Sequence, residues 1–350
     1  ARALLQRWRP HRVYRRIMEQ PPDTQPESLL VARTCAGLLL PVMSIDHQAT
    51  YLFAAVILRQ SLASGATPYT PFGFLYWAMA TELDSLSPRR REQILEFART
   101  TMSTSPTDRL SSEEINRIRV LVGIIGHPWD RLSPFAYGHL FTLYREGRAC
   151  GSFETSAHAI HVYCYAPLFH GYPLPQVYRT IEHYRREVTT NGLTRMSRAM
   201  GKFAQAALVL MGETDKPLEV SGHICSEDEL TAELEHTGDS LGLAGLRFLQ
   251  ALLAVYHGSP ELALKRLRTV AEETALVRFL IDVTWSWFMH SMTAWQLGLV
   301  DEALQFGRRL RAVSDSAPGN HRYAAVQAER SMHLGFRRIA DRKFRTAAEQ

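Results

Sequence analysis

The chain has 350 residues, 46% of them apolar and 21% charged, with 40 Lys or Arg against 35 Asp or Glu for a net charge of +5. This is the composition of a folded globular protein and excludes a mainly disordered chain; the length exceeds the usual reach of one hydrophobic core, so two domains or one elongated array are expected. The positive charge is not gathered as a duplex-binding face requires: residues 1–20 carry six Arg and one Glu, residues 321–350 carry seven basic and three acidic residues, and the long middle is net negative, so no nucleic-acid partner is expected.

From the N-terminus, the chain opens Ala1-Arg2-Ala3-Leu4-Leu5, without an initiator Met or the apolar core of a secretion signal, and reads as an internal piece of a longer protein. The longest apolar runs, Tyr51–Leu58 and Val120–Ile125, stop far short of the roughly 18 residues a membrane-spanning helix needs, so no membrane insertion is expected. Cys35, Cys150, Cys164 and Cys225 are scattered, and no pair has the two-residue gap of a zinc or redox motif; free thiols in a reducing cytoplasm are the expectation.

Helix punctuation then recurs along the whole chain. Ser87-Pro88, Ser133-Pro134 and Ser259-Pro260 each set an N-cap hydroxyl before a proline whose missing N–H costs nothing at the first helical position. The run Arg89-Arg90-Arg91 behind the first of these reads as the start of an exposed helix. Ser111 with Glu114, and Ser226 with Glu229, have capping-box spacing, in which hydroxyl and carboxylate satisfy reciprocal orphan amides. Gly65, Gly147, Gly171, Gly258 and Gly298 stand where apolar periodicity ends, as helix-terminating residues do. Alternating β-branched runs bounded by hairpin turns are nearly absent, so the predicted class is all-α. The longer loops are expected at Pro21–Pro26, Ser103–Ser112, Gly212–Glu227 and Ser314–Asn320, and only the third is long enough to suggest a break in packing.

The strongest internal signal is a repeat in the C-terminal third. His257-Gly258-Ser259-Pro260-Glu261-Leu262-Ala263 and Leu297-Gly298-Leu299-Val300-Asp301-Glu302-Ala303 superimpose at a spacing of 40, with Ala254 and Ala294 in register; Gly335 and Ala340 repeat the Gly-to-Ala interval of five. Physically, one helix ends at the glycine, and the next carries an alanine small enough for the two helices to approach closely. A helical hairpin of this kind leaves one apolar face uncovered, so neighbours must stack to complete a core. The units are therefore tetratricopeptide-like, and the expected architecture is an α-solenoid of stacked helical hairpins. Upstream, Gly147 and Gly171 end helices comparably, but Gln176 stands where the alanine would follow Gly171. Residues 1–130 are expected to form an N-terminal helical subdomain or the first irregular repeats, and residues 131–350 the tetratricopeptide-like repeats.

Catalytic chemistry is hard to find. Gly201-Lys202 lacks the glycine five residues before it and the following Ser or Thr of a phosphate-binding loop. His158 and His161 stand three apart with Cys164 three further along, which makes half a metal site on one helix face or, more simply, packing histidines. Glu227 with Asp228 and Glu272 with Glu273 are adjacent pairs that diverge by about 100° on a helix; they read as complements to the dipole at helix starts, not as an acid–base couple. Aromatic residues cluster at Phe72, Phe74, Tyr76 and Trp77, at Phe135, Tyr137, Phe141 and Tyr144, and at Trp285, Trp287, Phe288 and Trp295. They serve either interhelix packing or a concave recognition surface with aromatic anchors. No catalytic, cofactor-binding or metal-binding residue is assigned, and no cofactor is expected.

The order of several segments resembles one family. Pro217-Leu218-Glu219-Val220-Ser221-Gly222-His223-Ile224-Cys225-Ser226-Glu227-Asp228-Glu229-Leu230, Gly242-Leu243-Ala244-Gly245-Leu246-Arg247-Phe248 and Tyr256–Ala263 are similar to the helical middle region of very large bacterial signalling proteins. Those proteins combine a serine/threonine kinase-like domain, a STAND-type AAA ATPase module, helical repeats, and a GAF plus histidine kinase output. Leu62–Phe74 and Asn320–Gly335 fit the same pattern, so the resemblance covers most of residues 30–350. It implies a non-catalytic scaffold that binds a protein partner or neighbouring domains of the same polypeptide and couples an ATPase or kinase module to a sensor or output. The alternative is a small-molecule sensor whose pocket is lined by the aromatic residues around Trp285.

Overall fold

The computed structural model describes residues 1–38, 49–83, 88–104, 110–125, 138–169, 171–273 and 281–314, and among them there are sixteen α-helices and no strand. The all-α class expected from helix punctuation is the class adopted. The expectations for Ser133-Pro134, Phe135, Tyr137, most of Ser314–Asn320, Asn320–Gly335 and the Gly335–Ala340 repeat lie outside the described residues.

The N-terminal helices are α1 (Arg2–Arg7), α2 (Pro10–Met18), α3 (Pro26–Gly37), α4 (Ala49–Ser64), α5 (Thr70–Leu83), α6 (Pro88–Thr104) and α7 (Ser112–Ile125). They pack around α5, which meets α1, α4, α6 and α7. Its Phe72, Phe74, Tyr76 and Trp77 are each at most 1% exposed, as a helix apolar on every side must be. The Arg89-Arg90-Arg91 run does open a helix, but Arg90 is not a solvated head. Its Nη2 donates to the carbonyls of Leu5, Gln6 and Trp8 at 3.1, 3.1 and 2.7 Å, serving orphan acceptors at the end of α1. The capping box at α7 forms in both directions: the Glu114 amide donates to Ser111 Oγ at 3.2 Å and the Ser111 amide to Glu114 Oε2 at 3.0 Å.

Further along, helices pair into hairpins: α8 (Gly138–Ala149) with α9 (Phe153–Phe169), and α10 (Leu174–Thr190) with α11 (Thr194–Leu210). After α12 (Glu227–His236), α13 (Ser240–Tyr256) pairs with α14 (Pro260–Glu273) and α15 (Ile281–Gln296) with α16 (Val300–Ser314). Each hairpin turns at a glycine in the left-handed region, Gly151, Gly192, Gly258 and Gly298, at φ of 80, 76, 69 and 72°. The residue after each glycine donates its amide to a carbonyl five residues back, at 2.8, 3.2, 2.9 and 2.8 Å in turn, which closes the helix end with a Schellman bond. Five residues after each glycine stands a small residue, Ser156, Ser197, Ala263 or Ala303, none more than 4% exposed. At the last hairpin the approach is close enough for Ser291 Oγ to donate to the Ala303 carbonyl at 2.8 Å.

The hairpin pattern therefore extends upstream of the C-terminal third, with serine in place of alanine. Between hairpins, contacts run to second neighbours as well: α7 to α9, α9 to α11, α11 to α13 and α13 to α15. One hydrophobic cluster runs through these helices from Leu5 to Met289, and a second joins Leu264, Ala294, Trp295 and Ala303.

Three expectations are corrected. Gly147 does not end a helix; it lies inside α8, where a Cβ would meet Ser156 Oγ at 2.0 Å and Asn116 Oδ1 at 2.5 Å, so it is needed for close approach, and Gly151 makes the turn. Glu272 and Glu273 are not at a helix start, because α14 begins at Pro260 and continues through them to its C-terminal end. The Gly212–Glu227 loop is not a break in packing. Gln205, fully buried on α11, donates Nε2 to the Ser221 carbonyl at 3.1 Å and accepts the Ile224 amide at 3.2 Å. Glu227 Oε2 accepts the Val220 amide at 2.7 Å, and Arg266 on α14 donates to the Leu218 carbonyl at 3.0 Å. The loop's polar groups are thus served from α11, α12 and α14, and it is tied to the helices on either side.

Candidate functional site

The residues singled out for chemistry are placed apart by the fold. His161 on α9 packs its ring against Tyr165 and, on α11, Phe203, at centroid distances of 5.0 and 5.6 Å. Burial holds it down to about 3, with Lys202 and His158 pressing the same way. His158 is held at about 4, again chiefly by burial. Cys164, one turn on, directs its sulfur toward the Thr180 carbonyl of α10, 4.0 Å away, so it does not converge with His161. Among the described residues no three His, Cys, Asp or Glu side chains are grouped as metal ligands would be. Lys202 is buried with Nζ donating to the Gly242 carbonyl at 3.1 Å, a bond that ties α11 to α13.

The aromatic residues pack on one another. Phe141 and Tyr144 of α8 meet Tyr163 of α9 and Tyr184 of α10, with centroids 5.4 to 6.5 Å apart. A second series crosses four hairpin helices: Tyr165 stacks on Phe203 at 4.5 Å, and Phe169 meets Phe248 at 5.6 Å and Trp285 at 5.9 Å. Trp285 also meets Phe288 edge-on at 5.4 Å. Contacts of this kind contribute about 0.5–1.5 kcal/mol each beyond area burial. Trp295 is 2% exposed within the core of the last hairpin.

One charged cluster bridges two hairpins. Glu302 on α16 accepts Arg268 Nε and Nη2 from α14 at 3.0 and 2.7 Å, and lies 2.6 Å from Nε2 of the buried His290 on α15. Arg268 above all, with His290, draws Glu302 down to about 2 against the cost of burial. Burial lowers His290 despite the carboxylate beside it. The bidentate geometry fixes the relative placement of α14 and α16.

Two surface cavities are prominent among the described residues; one, of about 630 Å³, lies along Asp301, Glu302 and Arg308 of α16. The other, of about 440 Å³, opens where the Pro21–Pro26 loop, the α4–α5 turn and the start of α7 meet; Asp23, Leu29, Leu30, Arg33, Tyr69 and Glu114 are among its walls. Trp285 lines neither. The second is a built site. The loop that carries Asp23 lies against Gly65, at φ 100°, where a Cβ would lie 1.9 Å from the Pro21 carbonyl oxygen. The Asp23 amide donates to the Ala66 carbonyl at 2.9 Å. Tyr69 donates its hydroxyl to Glu114 Oε1 at 2.7 Å, and Arg33 Nε pairs with the same oxygen at 2.8 Å. Although burial disfavours its charge, Glu114 is held below the ordinary carboxylate range by Tyr69, Ser111 and Arg33.

Sequence reasoning recognised Glu114 as a helix cap and missed this site, since Asp23, Tyr69 and Glu114 lie more than forty residues apart and no spacing connects them. No protein-family profile, curated protein or solved structure matches the chain.

Proposed function

We propose that the protein is a non-catalytic helical-repeat scaffold, a tetratricopeptide-like α-solenoid whose stacked hairpins bind a protein partner or neighbouring domains of the same polypeptide. The observation that carries this is the four-fold recurrence of one hairpin: a left-handed glycine, a Schellman bond and a buried Ser or Ala five residues on. Helices that touch their first and second neighbours along the chain are what a stack of such units requires, since each unit buries its apolar face only against the next. The resemblance to the middle region of bacterial signalling proteins suggests the role: coupling an ATPase or kinase module to a sensor or output. Motion of one hairpin on the next would transmit the state of the ATPase module through interfaces such as Arg268–Glu302.

Calorimetric titration of the purified chain with an ATPase module of the resembled signalling proteins, with and without ATP, tests the coupling. Nucleotide-dependent binding is the expected result. Equal absence of binding in both states would remove the coupling role and leave an external protein partner.

A further inference from the structure

Beyond the scaffold role, and independently of it, we propose that the 440 Å³ cleft at Asp23 binds a cationic nitrogen on an apolar stem, an alkylammonium or guanidinium group with a hydrocarbon body. The volume is within the range of small-ligand sites. Asp23 is 4% exposed; its Oδ1 accepts the Gln25 amide at 2.9 Å, and its Oδ2 is buried with no hydrogen-bond partner. A buried carboxylate oxygen left without a donor is costly, and the loop that carries it is clamped in place. The Asp23 amide is bonded to Ala66, and Gln20 Nε2 donates to the Leu62 carbonyl at 2.9 Å. A donor supplied from the cleft would offset that cost.

The other charged walls set the sign of the occupant. Glu114 is already served by Tyr69, Arg33 and Ser111, and Arg33 is in turn paired with it. Among the described walls two carboxylates stand against one guanidinium, a net charge of −1, which favours a cation over an anion. The stem follows from the remaining walls. Pro26, Leu29, Leu30, Pro68 and Leu110 are apolar and stand together on the cleft wall, with Leu30 64% exposed. A long hydrocarbon chain would cover it while its charged end reaches the carboxylate, in the way lysine stems lie along apolar surfaces.

The same chemistry is offered by a free amine and by a Lys or Arg side chain of a peptide, and two probes separate them: 1-aminohexane, and N-acetyl-leucyl-lysinamide. Each is titrated into the intact chain and followed by calorimetry, with hexanoate as the anionic counterpart of equal length. We expect one or both amines to bind and hexanoate not to; the tighter of the two identifies a free amine or a basic side chain as the source. Asp23→Asn keeps the Oδ1 acceptor and replaces the lone oxygen by an amide, and should weaken amine binding by about tenfold or more, as loss of a charge-assisted hydrogen bond does. Leu30→Ser, at an exposed position where folding is not at stake, should weaken it about fivefold through the lost apolar contact. Amine binding unchanged in Asp23→Asn or in Leu30→Ser, hexanoate binding as tightly as 1-aminohexane, or no binding of either amine would overturn the proposal. Should Asp23→Asn fail to fold, the Leu30→Ser and hexanoate results decide it.

Discussion

Gly222 sits so close to the Gln205 side chain that a Cβ on residue 222 would stand 2.4 Å from Gln205 Nε2. The contact joins the long loop before α12 to the middle of α11, and the same amide serves both the Ser221 carbonyl and the Ile224 amide. Gly222→Ala should therefore destabilise the protein by about 1–3 kcal/mol, the cost of overpacking a filled site. Gln205→Leu, which leaves the partly buried Ile224 amide without its acceptor and the Ser221 carbonyl with only Thr214 Oγ1 at 3.4 Å, should cost about 1–3 kcal/mol. Urea unfolding measures both. A Gly222→Ala protein as stable as the parent would mean that the loop shifts freely and is not pinned.

The hairpin turns allow strain and packing to be separated. At Gly298, at φ 72°, a Cβ would meet nothing within 4 Å, so Gly298→Ala should cost only the left-handed backbone penalty, about 1–2 kcal/mol. Gly298→Asn should cost less. Ala303→Leu instead forces side-chain volume into the α15–α16 contact, where Ser291 bonds the Ala303 carbonyl, and should cost about 2–3 kcal/mol. Comparable losses in urea midpoint for Gly298→Asn and Ala303→Leu would contradict the division of labour assigned to the two positions.

Acid should weaken the fold through two partly buried histidines. His158 and His161 are held at about 4 and about 3 by burial, below the unfolded value near 6.5. Below pH 6.5 the unfolded chain takes up protons that the folded chain refuses. Stability is therefore complete above that pH and falls as pH drops toward the folded values, by up to about 1.4 kcal/mol per pH unit for each histidine. Glu302, drawn to about 2 by Arg268 and His290, adds a loss that begins below its unfolded value of about 4.5 and continues toward pH 2. Melting temperatures at pH 7.5, 5.5 and 4.5 should decline steadily, and His161→Leu should flatten the upper part of that decline. A parent protein that melts at the same temperature throughout would show that these histidines titrate normally in the fold.

Shape tests the stacking. A compact sphere of 350 residues has a radius of gyration of about 20 Å, and a solenoid of hairpins should exceed it clearly in small-angle scattering. A value at the compact figure would argue against an extended stack.

Local chemistry determined a good deal of this protein. The all-α class, the capping box at Ser111, the starts of α6 and α14 at Pro88 and Pro260, and the turns at Gly258 and Gly298 depend on residues within a few positions of one another, so they are legible in the sequence. The hairpins at Gly151 and Gly192 were hidden because Ser156 and Ser197 fill the role of alanine: at a close helix crossing, smallness matters more than residue identity. What only the tertiary structure decided are the contacts between distant segments. Arg90 turns from a basic surface run onto the end of α1, because unserved carbonyls lie within its reach. Gln205 makes a long polar loop part of the core, and Gly147 serves a helix crossing where a turn was expected. The cleft at Asp23, Tyr69 and Glu114 exists because three loops and helix starts meet there. No periodicity encodes such a meeting; it follows from how the helices pack.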